Sequence, residues 1–117
     1  MRQKRRPVQA GKERQGLLEQ KQVSREEVAL TVKGPLSAET SVEFCRQMEQ
    51  LIAGSSVSIS LDLSQTESIS SSALGKILLF RKKMAEQHRT LRIRGCSDSL
   101  YSTFQMINFD SLILIER

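Results

Sequence analysis

Three consecutive hydroxyls, Ser70, Ser71 and Ser72, stand where an alternating apolar run gives way to a helical pattern, in LDLSQTESISSSALGKILLF, residues 61–80. At such a junction a serine has two simple uses. It can cap the first helical turn, an interaction of about 1 kcal/mol. It can also accept a phosphate, because exposed backbone N–H groups and the helix dipole favour an anion there. A third use, as a nucleophile, needs a base within hydrogen-bond reach. The single histidine, His88, falls at the far end of the same helical pattern, about 24 Å away at ~1.5 Å per residue. That distance argues strongly against a serine–histidine hydrolase.

Other reactive types are sparse. Neither a glycine-rich phosphate loop nor a GxSxG nucleophile turn occurs. Asp62 and Glu67 read as surface or loop acids. Cys45 and Cys96 make no CxxC pair. Cys45 falls in the apolar stripe Val42, Cys45, Met48, Ile52 and reads as a small buried hydrophobe; Cys96 follows a strand. One histidine and two distant thiols are too few for a zinc site. No catalytic residue, metal or cofactor is expected.

The elements that position the serines follow from periodicity. Val28, Leu30 and Val32 alternate with polar neighbours and end at Gly34-Pro35, a half-buried strand. Ser37 or Thr40 caps a helix to about Ile52, stopped by Gly54. Residues 57–63 alternate again, with Val57, Ile59, Leu61 and Leu63 opposite Ser58, Ser60 and Asp62. A second helix covers about 72–87, with Leu74, Ile77, Leu78, Met84 and Ala85 at helical spacing. Leu91 and Ile93 against Arg92 and Arg94 make a third strand. Asp98 or Ser97 caps a third helix to about Ile107, and Leu112 to Ile115 form the last strand. This order predicts an α/β fold with a four-stranded, mostly parallel sheet. Buried parallel strands usually read as continuous apolar runs. Three of these four carry a polar face, so the helices are expected mainly on one side, leaving Ser58, Ser60, Asp62, Arg92 and Arg94 partly wet.

The 117 residues suffice for one domain, and the net charge of +5 is unevenly placed. Residues 1–26 hold eight basic residues (Arg2, Lys4, Arg5, Arg6, Lys12, Arg14, Lys21, Arg25) against Glu13, Glu19 and Glu26, whereas residues 27–117 are balanced. We therefore expect a basic, flexible tail at 1–26, with a short helix near Leu17 and Leu18, and a domain at 27–117. A neutral domain argues against direct nucleic-acid binding by the fold; the tail is suited to weak contact with anionic surfaces. No apolar run reaches the ~18 residues of a membrane span, and a cytoplasmic location is expected.

LDLSQTESISSSALG resembles the signature of the STAS domain, the family of sulphate-transporter and anti-sigma-factor-antagonist domains. There an LDLS-like strand leads to a DSSG- or DSTG-like turn that opens a helix. The likeness runs from about Val28 to Ile115. By position it implies that Ser71 matches the family's phosphorylatable residue, Ser72 the residue after it, Gly75 the later glycine and Asp62 the strand-end aspartate. Ser70 stands where the family usually has aspartate, and Ala73 where it usually has glycine.

The resemblance implies a non-enzymatic regulatory module, an anti-sigma factor antagonist. Such a domain binds an anti-sigma factor that is also a serine kinase, is released on phosphorylation and is restored by a phosphatase. It equally implies an alternative, a structural STAS subunit docked on the ATPase of a phospholipid-transport ABC complex, or on other STAS domains in a stress-signalling scaffold, without phosphate turnover. Releasing a partner from mostly bound to mostly free takes about 5.5 kcal/mol. A phosphate's attraction to the helix end is present in both states, so release must come from repulsion and desolvation in the interface. The helix face beside the loop, led by Lys76, is therefore expected in the contact with Asp62, Ser70, Ser71, Ser72, Ala73 and Gly75.

Overall fold

The computed structural model describes Leu18 to Arg117; the expected tail cluster from Arg2 to Arg14 lies outside the described residues. The elements in chain order are β1 (Leu18–Gln22), β2 (Glu27–Lys33), α1 (Thr40–Ala53), β3 (Ser58–Gln65), α2 (Ser71–Glu86), β4 (Thr90–Cys96), α3 (Asp98–Met106), a 3₁₀ turn (Phe109–Ser111) and β5 (Ile115–Glu116). The strands form one sheet in the order β1-β2-β3-β4-β5. β1 runs antiparallel to β2, and every other neighbouring pair is parallel. This is the expected α/β architecture with one strand more.

That extra strand is a correction. A sheet of four strands with a short helix near Leu18 was expected, yet Leu18–Gln22 form a hairpin with β2, with Leu18 opposite Val32. Only Leu18 of the five is buried, so the segment carries almost no alternating signal. Pairing with β2 and burial of Leu18 override the helical preference of a Glu/Gln/Lys-rich stretch. The sheet thus begins inside the segment assigned to the tail. At the other end, Leu112–Ile115 was expected as a strand. Instead, a 3₁₀ turn and Leu112–Leu114 precede a two-residue β5. Leu112 and Leu114 are exposed while Ile113 is buried.

The core lies between the sheet and the helices. Leu30, Val32, Ile59, Leu61, Leu63, Leu91 and Ile93 from the strands meet Phe44, Met48, Ala73, Ile77, Phe80, Met84, Leu100 and Phe104. The inward stripe of α1 differs from the expected one: Ser41, Phe44 and Met48 are buried, whereas Val42 is 70% exposed. The two stripes compete for the same helix, and Phe44 offers the larger apolar area. Its ring meets Phe80 of α2 edge-on at 6.2 Å. α2 likewise buries Ala73, Ile77, Phe80 and Met84, with Leu74 and Leu78 only partly covered.

The opposite face of the sheet is polar and partly wet, as its alternation implied. Glu27 on β2 pairs with Arg92 (3.2 Å) and Arg94 (3.3 Å) on β4, and both arginines reach Glu116 on β5. β3 lies between β2 and β4, and its small Ser60, opposite Arg92, lets the guanidinium cross to Glu27. Ser60 is consequently buried.

Candidate functional site

The serine loop is held from both sides. The exit from β3 is fixed by fully buried Thr66, just past its end, whose hydroxyl donates to the Val32 carbonyl at 3.0 Å. The Gly34 amide donates to the Gln65 carbonyl. Leu36, buried, then forms a parallel bridge with Ile69: the Leu36 amide donates to Ser68 and the Ser70 amide donates to Leu36, both at 2.9 Å. The connection from β2 to α1 therefore braces the residue at which α2 begins.

The three serines have three different positions. Ser70 is the N-cap, extended in backbone, and its hydroxyl accepts the Ala73 amide at 3.2 Å. Ser72 is exposed and its hydroxyl lies 3.1 Å from that of Ser70. Ser71 is the first helical residue, exposed, and its hydroxyl makes no hydrogen bond among the described residues. Capping thus falls on Ser70 and leaves Ser71 uncommitted. α2 has no acidic residue in its first turn, so the dipole's positive end is not neutralised from within the helix.

Of the other residues singled out in the sequence, Gly75 and Lys76 join this surface. Both are exposed, and Ser72, Gly75, Lys76, Leu79 and Lys83 follow i, i+3, i+4, i+7, i+11 spacing on one side of α2. A Cβ at Gly75 would meet nothing within 4 Å, so nothing in the fold itself requires glycine there. Ala73 is fully buried and turned into the core. Asp62 is not brought to the serines. It lies on the polar face of the sheet, where its Oδ1 accepts from the Ser64 amide (3.0 Å) and hydroxyl (2.7 Å). There it also sits beside Gly95, at a shift in the β3–β4 register.

One residue that the sequence reading did not single out belongs to the exposed face of α2. Leu79 is 45% exposed, off the buried stripe of Ala73, Ile77, Phe80 and Met84. Its phase relative to that stripe is the signal that marks it. Cys45 of α1 feels the Lys76 charge across the helix pair, but burial dominates and pushes its thiol up; burial does the same to Cys96. Neither is an activated nucleophile. His88 is exposed just beyond the other end of the 16-residue α2, in left-handed backbone. Among the described residues, no group of three or more His, Cys, Asp or Glu can hold a metal ion, and no helix is long and apolar enough to cross a membrane.

Comparison with known proteins agrees with this architecture. The family described as "Mlab, STAS domain" matches residues 19–116. No curated protein matches the chain. Among solved structures, the chain is similar to an anti-sigma factor antagonist from Mycobacterium paratuberculosis (TM-score 0.75, 13% identity, 85% of this chain and 83% of that one). It is also similar to the anti-sigma factor antagonist SpoIIAA in its unphosphorylated form (0.72, 16%, 86% and 88%) and to Bacillus SpoIIAA in its phosphorylated form (0.66, 16%, 86% and 91%). A sulfate transporter family protein from Wolinella succinogenes is a further likeness (0.63, 15%, 78% and 74%). Identities this low establish the fold and no more. With the family match spanning nearly all described residues, the chain belongs to the STAS domain family and has the fold of the anti-sigma factor antagonists.

Proposed function

We propose that this STAS domain works by binding rather than catalysis, as an anti-sigma factor antagonist whose docking surface is the start of α2 and whose switch is Ser71. The observation that carries the reading is the division of labour among the serines. Ser70 caps the helix, so phosphorylating Ser71 leaves the cap in place and sets the phosphate on the exposed end of α2. A phosphate of about −1.5 to −2 charge there meets the partner directly, beside Gly75 and Lys76. The partner is a serine kinase that also restrains a sigma factor, with a phosphatase to reset the loop. SpoIIAA, known in phosphorylated and unphosphorylated forms, supports this reading. Ser71→Asp is expected to weaken capture of that kinase and Ser71→Ala to retain it. Equal capture by wild type and Ser71→Asp overturns the proposal.

A second reading draws on the family description, which names Mlab, and on Ser70 in place of the usual aspartate. In it the same surface docks on an ABC ATPase of phospholipid transport, or on other STAS domains, with no phosphate turnover. Co-purification separates the two: a kinase and sigma factor support the first, an ABC ATPase or large particle the second.

A further inference from the structure

The described sheet ends at β1, whose Glu19, Gln20, Lys21 and Gln22 are all exposed. An edge strand presents a row of backbone donors and acceptors that invites another strand, and proteins commonly defend it with charged side chains or proline. β1 has no proline, and its two charges are of opposite sign. Its sequence, LEQKQ, places one acid and one base symmetrically about Gln20. Gln20 turns toward the helices, where its amide donates to Gln47 of α1 at 2.9 Å. Glu19 and Lys21, one residue to either side, therefore both lie on the polar face.

We propose that β1 is a self-recognition edge, at which a second copy of this chain adds its own β1 antiparallel and continues the sheet. A two-fold axis normal to the sheet keeps each side chain on its own face, so the possible registers move in steps of two in the sum of paired residue numbers. Centred on Gln20, the pairing sets Glu19 opposite Lys21 of the second copy, and Lys21 opposite its Glu19. Centred on Glu19, it sets two glutamates opposite each other; centred on Lys21, two lysines. Opposite charges across an antiparallel pair are favourable and like charges are not, so the pattern selects one register of the three. Glu19 already lies 3.5 Å from Lys33 of β2 yet keeps 62% of its side chain exposed, which leaves its carboxylate open to a second lysine.

Five paired residues are far short of the ~1,200 Å² typical of a stable interface. The dimer is accordingly weak, populated only at high protein concentration, and weakened further by salt. The inference is independent of the serine loop, since β1 lies beyond β2 and carries none of its residues. Ser71→Asp leaves the association unchanged.

Charge segregation tests it, with sedimentation of the full chain at low ionic strength as the readout. Glu19→Lys makes β1 wholly basic and Lys21→Glu makes it wholly acidic. Each variant alone is expected to dimerise about tenfold more weakly than wild type, through the loss of both cross-strand pairs. An equimolar mixture of the two is expected to recover the wild-type dimer as a heterodimer, and so is the double exchange Glu19→Lys/Lys21→Glu. Recovery on mixing also shows that both variants are folded. A wild-type chain that stays monomeric to millimolar concentration overturns the proposal. So do variants that dimerise as wild type does, and a mixture that stays monomeric.

Discussion

The Ser70 hydroxyl accepts the Ala73 amide at 3.2 Å, and this bond makes Ser70, of the three serines, the one that caps α2. It satisfies one of the orphan donors of the first turn and fixes where α2 starts. Ser70→Ala is expected to cost about 1 kcal/mol, a fall of about 4–8 °C in Tm for a domain of this size. Ser70→Asp keeps an acceptor at the cap and is expected to hold wild-type stability. Thermal melts of both variants check the assignment.

Gly75 separates fold from docking. Its Cβ position is open, so Gly75→Ala is expected to stabilise the isolated chain by about 1 kcal/mol through helix propensity. The same methyl stands on the proposed contact surface and is expected to weaken partner binding. A variant that gains stability and loses binding locates the partner on this face. One that gains stability and binds normally places the partner elsewhere.

Gly95 is needed for a different reason. Its φ is +106°, and a Cβ there would lie 2.7 Å from the Asp62 Oδ1. The site sits at a bulge, where Leu61 pairs with Ile93 but Leu63 with Cys96. Gly95→Ala is expected to destabilise by at least about 1–3 kcal/mol. Adding Asp62→Ala removes the clash but not the backbone strain, so the double variant is expected to recover only part of the loss. Urea denaturation of the two single variants and the double variant measures that coupling.

The strand pattern was legible where half-buried strands wrote a period of two, as in Val28, Leu30 and Val32. β1 was not legible, because Leu18 alone of its five residues enters the core. α1 carried two overlapping stripes, and only the Phe44–Phe80 contact shows which faces inward. Within the site, sequence marked the helix start. It did not say which serine caps, because neighbouring hydroxyls differ only in backbone geometry. Strand alternation already set Asp62 on the polar face; only the family match grouped it with the serines, and a shared segment does not imply a shared face.

Glu27 makes acid stability a readout of the polar face. Burial opposes its ionisation, but a hydrogen bond from Ser60 and the charges of Arg92 and Arg94 more than offset this, holding its carboxyl below the usual glutamate range. A lowered folded-state pKa stabilises above the unfolded value of about 4.3, and that stability is lost as pH falls through the folded value. Glu27→Gln is therefore expected to destabilise at neutral pH and to flatten the fall in stability below about pH 5. Parallel acid limbs for wild type and variant would show that another carboxylate dominates.

The central claim is that Ser71, left uncommitted by the Ser70 cap, takes the phosphate. Intact-mass and site-mapping analysis of the full chain, after incubation with lysate of its native cells and ATP, tests this directly. The account predicts a single phosphate mapped to Ser71 and absent from Ser71→Ala. A phosphate on Ser70 or Ser72, or an unmodified chain, would contradict it.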